Sequence, residues 1–287
     1  MNQFWRPGLV LLACLAMTLT GCGNNNIFKQ LVGDNRPLTT AQEKIDAAKQ
    51  KSAHGDYSAV LPIVNSVISS NASADKKIDA YALKGVAILG KTGFNQIDVT
   101  SDLLTNSNST SLDPNLINRL PDIEAATAIQ SATALNEAAA LAASNSLELD
   151  KKTQLTRGIA NVAVVTSKIN EIYDVSATSN VVIKDNQTAK AALADLLTPD
   201  STGKTIVDYA SNANDGITKG TDLSDTQQAQ LDKVKDVPAE LKQLNTALQG
   251  GAAYTYTDSG GSHTLNSGSS DSDVRSATTH IIQKANR

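Results

Sequence analysis

The chain has 287 residues, a formal net charge of −4, 3% aromatic residues and two cysteines. Acidic and basic side chains are interspersed, with no basic block and no basic–aromatic alternation, which argues against nucleic acid as a partner. Few aromatic faces are available to stack on sugars, and abundant alanine with Leu, Ile and Val at helical spacing points to closely packed helices.

The N-terminal segment combines the positive charge of Arg6, a short apolar core from Leu9 to Leu19 (LVLLACLAMTL) and small residues before Cys22. That is the layout of a secretory signal peptide, here residues 1–21. The core falls well short of the ~20 apolar residues needed to span a bilayer. Leu19-Thr20-Gly21-Cys22 resembles the lipobox of bacterial lipoproteins. The resemblance implies cleavage between Gly21 and Cys22 and diacylglycerol on the Cys22 sulfur, with acyl chains such as palmitate holding the protein to the bilayer. One chain anchors only marginally, and two or more anchor stably. By the same resemblance, Gly23 in place of Asp favours the outer membrane facing the periplasm. Cys14 then leaves with the signal and Cys22 is lipidated, so no thiol remains for a disulfide, a metal or nucleophilic catalysis.

Residues 22–38 read as a flexible tether rich in turn formers (Asn24 to Asn26, Gly33 to Pro37). An α-helical domain is expected over residues 39–251. Thr40-Ala41-Gln42-Glu43 has the pattern of a capping box, opening a helix to about Ala53. Gly55 ends it, and Asp56 caps a second helix from Tyr57 to about Ser69 with Val60, Ile63, Val64, Val67 and Ile68 on one face. Pro62 interrupts that stripe and should bend the helix or delay its start. A third helix runs from Asp75 to about Lys91, carrying Ile78, Tyr81, Ala82, Val86 and Leu89. Gly93-Phe94 breaks it, and Ile97 to Leu104 is its expected partner.

Gly55-Asp56-Tyr57, Gly85 and Gly93 give residues 39–105 a resemblance to tetratricopeptide repeats. In that family the glycine permits the tight turn, the aromatic packs between helices and a small residue at the position of Gly85 allows close approach. The match is degenerate: Gly55 and Gly93 lie 38 residues apart, against a repeat of about 34. The closing proline is also missing. The resemblance implies stacked antiparallel helical hairpins, a tetratricopeptide-like solenoid or an irregular helical bundle.

Residues 105–120 read as a polar connection, and 121–251 as an alanine-rich helical part. Pro121, Asp122 and Glu124 suit the start of a helix to about Ala143. Asp150 opens another to about Tyr173, whose Leu155, Ile159, Val162, Thr166, Ile169 and Tyr173 form a narrow seam. The alanine-rich helix upstream is its expected partner. Val181 to Lys184 reads as a short strand or a connection. Helices follow over Thr188 to Leu197 and Thr205 to Asn214. Ser224-Asp225-Thr226-Gln227 offers a second capping box for a helix to about Asp236, and Pro238 opens one to Gln249, closed by Gly250-Gly251. Residues 252–273 look like a Gly/Ser/Asp-rich flexible segment, and 274–287 like a short C-terminal helix or tail.

Signals for chemistry are weak. There is no HExxH, CxxC, GxSxG or P-loop. His54, His263 and His280 stand apart in sequence and read as surface residues. Asp271 to Asp273 lacks the Gly and distal Glu of an EF-hand loop and reads as solvated linker. No catalytic, metal-ligating or cofactor-binding set is expected, apart from the lipid on Cys22. The expectation is an all-α, membrane-anchored envelope lipoprotein that serves as a non-enzymatic scaffold for a protein or peptide. A small-molecule-binding accessory of an envelope transporter is the alternative, and an envelope hydrolase using scattered carboxylates the third reading.

Overall fold

Of the nine helices among the described residues, seven pack in series, each against its neighbours, in a computed structural model that describes residues 37–93, 123–174, 182–184, 187–223 and 225–284. Residues 41–287 form one unit by themselves and residues 1–40 another. The fold is all-α, with only short strands. The first three helices are α1 (Ala41–Ala53), α2 (Tyr57–Ile68) and α3 (Ala74–Lys91). They are followed by α4 (Ala125–Ser144) and α5 (Lys151–Ile172), then β1 (Tyr173–Asp174), β2 (Val182–Ile183) and α6 (Ala189–Leu197). The chain continues through α7 (Ile206–Gly220), α8 (Asp225–Leu248), β3 (Tyr254–Asp258), β4 (Gly261–Leu265) and α9 (Asp271–Lys284). Among the described residues, no helix is long and apolar enough to cross a membrane.

The first three helices are one-sided. Ile45 and Ala48 of α1, Val60, Val64 and Val67 of α2, and Ala80 and Ala87 of α3 share one apolar cluster. Asp56 caps α2 by accepting from the Ala59 amide at 3.3 Å, and Gly55 makes the preceding turn with φ +75°. Pro62 sits inside α2 without ending it. The Tyr57 ring lies over Gly90 of α3, at a place where a Cβ would come within 2.4 Å of ring carbons. Gly93 has φ +80°, and the expected helix at 97–104 lies outside the described residues, as do the 105–120 connection, Pro121 and Asp122.

Gly85 brings α3 against α4: an added Cβ there would meet the Leu135 side chain at 2.5 Å. Beside this contact the Ser131 hydroxyl donates to the Gly85 carbonyl at 2.8 Å. α4 buries alanine after alanine (Ala125, Ala128, Ala132, Ala134, Ala138 and Ala142), so its neighbours can approach closely.

α5 is the centre. Asp150 caps it by accepting from the Thr153 amide at 2.9 Å. Every residue from Leu155 to Ser167 is buried, so the narrow seam of the sequence is in fact a helix covered all round. Its closest packing is against α7, where glycines replace side chains. A Cβ on Gly216 would lie 2.6 Å from the Gly158 nitrogen, and one on Gly220 would lie 2.4 Å from the Leu155 nitrogen. The two backbones therefore touch along Gly-Ile-Thr-Lys-Gly, residues 216–220, and α7 continues six residues beyond the expected end at Asn214.

Three further differences concern the C-terminal part. α8 is one helix that carries Pro238 in its interior, where two helices were expected; buried Val237, Leu241 and Leu244 hold it on the core through the proline. Ser224 lies outside the described residues, so only Asp225 of that capping pattern is seen to start the helix. Residues 254–265, expected within a flexible segment, form an antiparallel hairpin in which Asp258 pairs with Gly261. Tyr254, Tyr256 and Leu265 of this hairpin face the core while Thr255 and Thr257 face outward. Asp271-Ser272-Asp273, read as linker, is the first turn of α9: the Asp271 carboxylate accepts from the Ala189 amide at the start of α6, and Asp273 accepts from the Ser270 amide. Val274, Ala277 and Ile281 dock α9 into the main core.

Candidate functional site

A groove of about 1010 Å³ runs over α5, between α4 and α7, which both pack on that helix. Its wall on one side is apolar, formed by Ala139, Ala140 and Ala143 of α4 and by Leu147 in the turn after it. Ser146 takes the left-handed conformation, φ +55°, and Leu147 behind it stays 43% exposed. The other wall is polar. Asp208, Ser211 with its neighbour Asn212, Asp215 and Lys219 follow one another at helical spacing and so share one face of α7.

The floor belongs to α5, through Lys151, Gln154 and Arg157. Arg157 keeps only 7% of its side chain exposed, and its Nη2 donates to Asp215 Oδ2 across the α5–α7 contact. Its Nε is enclosed and meets no acceptor, and Gln154 Oε1, one turn earlier, is enclosed and meets no donor. Beside Arg157, Asn161 is fully buried. It exchanges amide bonds with Asn136 of α4 (3.0 and 3.2 Å) and donates to the Arg157 carbonyl at 2.7 Å. These bonds fix the backbone from which the guanidinium projects.

Asp215 divides its carboxylate, giving Oδ2 to Arg157 and Oδ1 to Lys219 at 2.8 Å on its own helix. Burial pushes this carboxyl up, but the bonds from Lys219 and Arg157 outweigh that effect and hold it below the usual carboxylate range. The Thr205 amide and hydroxyl hold Asp208 low in the same way, against a smaller opposing effect of burial.

The rim at Gly203 and Lys204 is set by Asp200. Its carboxylate collects the Thr202 amide at 2.8 Å, the Lys204 amide at 3.3 Å and the Tyr209 hydroxyl at 2.6 Å. Burial, then the bond to Asp200, pushes the Tyr209 phenol up to about 12. The groove thus collects four cationic residues (Lys151, Arg157, Lys204 and Lys219) and three anionic ones (Glu148, Asp208 and Asp215), within a chain that is negative as a whole.

The residues singled out from sequence lie elsewhere. Gly55 and Gly93 are turns, Tyr57 covers Gly90, and Gly85 sits at the α3–α4 contact. Gly21 and Cys22 lie outside the described residues. His54 is exposed, and its Nδ1 lies 2.7 Å from the Gln50 carbonyl. His263 pairs with Asp258 at 3.0 Å, while His280 is half-buried; each packs a ring on Tyr256 with centroids 4.8 Å apart. Among the described residues, no group of His, Cys, Asp and Glu side chains is arranged to hold a metal ion. Arg157 and Asp215 carried no local signal. What marks them is that helix faces far apart in sequence, from Asn136 to Lys219, converge.

Comparison with protein-family models, with curated proteins and with solved structures found no match to this chain.

Proposed function

We propose that this chain is a lipid-anchored envelope lipoprotein, held to the outer membrane through Cys22, that binds a protein or peptide partner in the groove between α4 and α7. The observation that carries the reading is the groove itself: a trough with an apolar wall, a charged wall and a polar floor where Arg157 Nε and Gln154 Oε1 are enclosed and unpaired. An extended chain with mixed side chains matches such a surface, and helical hairpin proteins bind along faces of this kind. The role is that of a scaffold, without a reaction. Asp208 and Asp215 are both held ionised by their neighbours, so neither is tuned towards general acid work.

The test is photo-crosslinking in intact cells, with a photoreactive residue placed at Ala143 in the groove and, as a control, at Lys49 of α1. The expected result is one or a few proteins captured reproducibly from Ala143, absent from the Lys49 control and reduced by Cys22→Ala. Identical capture from both positions would remove the groove as the binding surface. Capture unchanged by Cys22→Ala would remove the anchor from the proposal.

A further inference from the structure

We infer that the groove receives the free C-terminal carboxylate of a peptide, with Arg157 as its receptor and Asp215 as the counter-ion it displaces. This inference rests on the peptide-binding reading above and adds the chemistry of the occupant.

The Arg157 guanidinium holds an unfilled fork. One edge of a guanidinium presents Nε–H and an Nη–H side by side, and a carboxylate accepts both in parallel. At Arg157 this edge is half used: Nη2 donates to Asp215 and Nε donates to nothing, in a side chain that is 7% exposed. The arginine cannot leave, because the helix that carries it is covered all round. Asp215 can. It is 42% exposed, lies on the wall, and keeps Lys219 as a second partner one turn along α7. A carboxylate arriving in the groove therefore takes the fork, and Asp215 turns to Lys219 and water.

Gln154 narrows the class. Its enclosed Oε1 needs a donor, one turn from Arg157 on the same face. The last residue of a peptide carries both complements on a single Cα: two carboxylate oxygens for Arg157 and an amide N–H for Gln154. An aspartate or glutamate side chain holds its carboxylate further from its own N–H and fits the pair less well. The apolar wall at Ala143 and the exposed Leu147 then face the side chain of that last residue, which favours a leucine or similar group.

The test is isothermal titration calorimetry on the full chain purified in detergent, with three probes: N-acetyl-Ala-Ala-Leu, its C-terminal amide, and N-acetyl-Ala-Asp-Ala-amide. The free acid is expected to bind at least tenfold more tightly than either amide. Arg157→Lys keeps the charge but loses the fork, and should weaken the free acid at least tenfold and the carboxylate-free leucine amide far less. Asp215→Asn removes the competing anion and should tighten free-acid binding several-fold, a gain that a merely structural role for the pair would not produce. Should Arg157→Lys fail to fold, Gln154→Leu, expected to weaken the free acid several-fold by removing the acceptor for its amide N–H, and Asp215→Asn still decide the point.

Equal binding of acid and amide would overturn the inference and leave the peptide reading standing. Preference for the aspartate peptide would overturn it in favour of an acidic side chain. If none of the probes binds while Ala143 still captures a partner in cells, the carboxylate inference falls and the scaffold reading survives.

Discussion

The hairpin of α1 and α2 with α3, and the α4–α5–α7 layer, are both helical, but they are held together differently. The first is built mainly from side chains: valine, isoleucine and alanine stripes share one apolar cluster, the Tyr57 ring covers Gly90, and each helix keeps a solvated face. The second is built from backbones. Gly158, Gly216 and Gly220 let α5 and α7 touch, and beside them the Asn161 and Asn136 side chains bond each other, Asn161 bonds the Arg157 carbonyl, and the Arg157 guanidinium bonds Asp215. A core of apolar side chains tolerates swaps of similar volume, whereas a backbone contact leaves no volume to trade. The region with least tolerance is also the one that forms the groove.

The largest effect should come from adding volume at the backbone contact. Gly216→Val places carbons where the Gly158 nitrogen and Gln154 carbonyl already lie, and should cost about 3 kcal/mol in urea unfolding followed by circular dichroism. A loss under about 1 kcal/mol would mean that α5 and α7 separate easily. The next largest tests the polar packing. Asn161→Ala leaves Asn136 with a buried, unmet amide and should cost about 1–3 kcal/mol. Adding Asn136→Leu to Asn161→Leu should restore part of the loss suffered by Asn161→Leu alone, since removing both partners relieves the unpaired group.

In the first region, Gly55→Ala meets no neighbour within 4 Å. Its only penalty is a left-handed backbone, worth about 1–2 kcal/mol. A loss exceeding that of Gly216→Val would reverse the contrast between the regions.

The smallest effect, and the one that sharpens the contrast most cleanly, is pH. Asp150, Asp200, Asp208 and Asp215 are all held below the ordinary carboxylate range and lie in the second region or its connections; in the first region Asp75, at the solvent-exposed start of α3, is lowered too, by the Ser73 hydroxyl and Lys76. A depressed folded-state pKa contributes stability above the unfolded value near 3.9, and that contribution is lost as pH falls through the folded value. Hydrogen exchange at acid pH should therefore loosen α5 and α7 before α1 and α2. Asp215→Asn should reduce the dependence. Simultaneous loosening would mean that these carboxylates do not hold the second region.

The sequence was legible where the physics is local. Asp56, Asp150 and Thr188 cap helices because a short acceptor beside the first free amides acts over three residues. The stripe of α2 read correctly because burial on one side imposes a period. α5 misled for the converse reason: a helix covered all round keeps no period beyond the residues that happen to be largest. Pro238 looked like a start, but α8 passes through it with Leu241 and Leu244 packed beyond. The hairpin had a signal in the alternation of Tyr254, Thr255, Tyr256 and Thr257 ahead of Asp258-Ser259-Gly260-Gly261, obscured by the Gly/Ser composition that follows. The groove had none. Arg157 resembles any helical arginine until Asn161 anchors the backbone beneath it and Asp215, 58 residues later, is brought opposite.

The capping of α6 by Asp271 carries a consequence for the order in which the protein is completed. The start of α6 at Ala189 obtains one of its acceptors from a residue 82 positions later, and Val274, Ala277 and Ile281 cover the same core. A ribosome delivers residue 189 long before residue 271. During that interval the emerging chain holds an unsealed apolar surface at Leu193, Leu196 and Leu244, all of which the finished core encloses. The first hairpin, whose contacts are local, is under no such delay. A chain stopped at residue 266 would thus present a folded front end and an open rear, a form that chaperones would hold and proteases would cut.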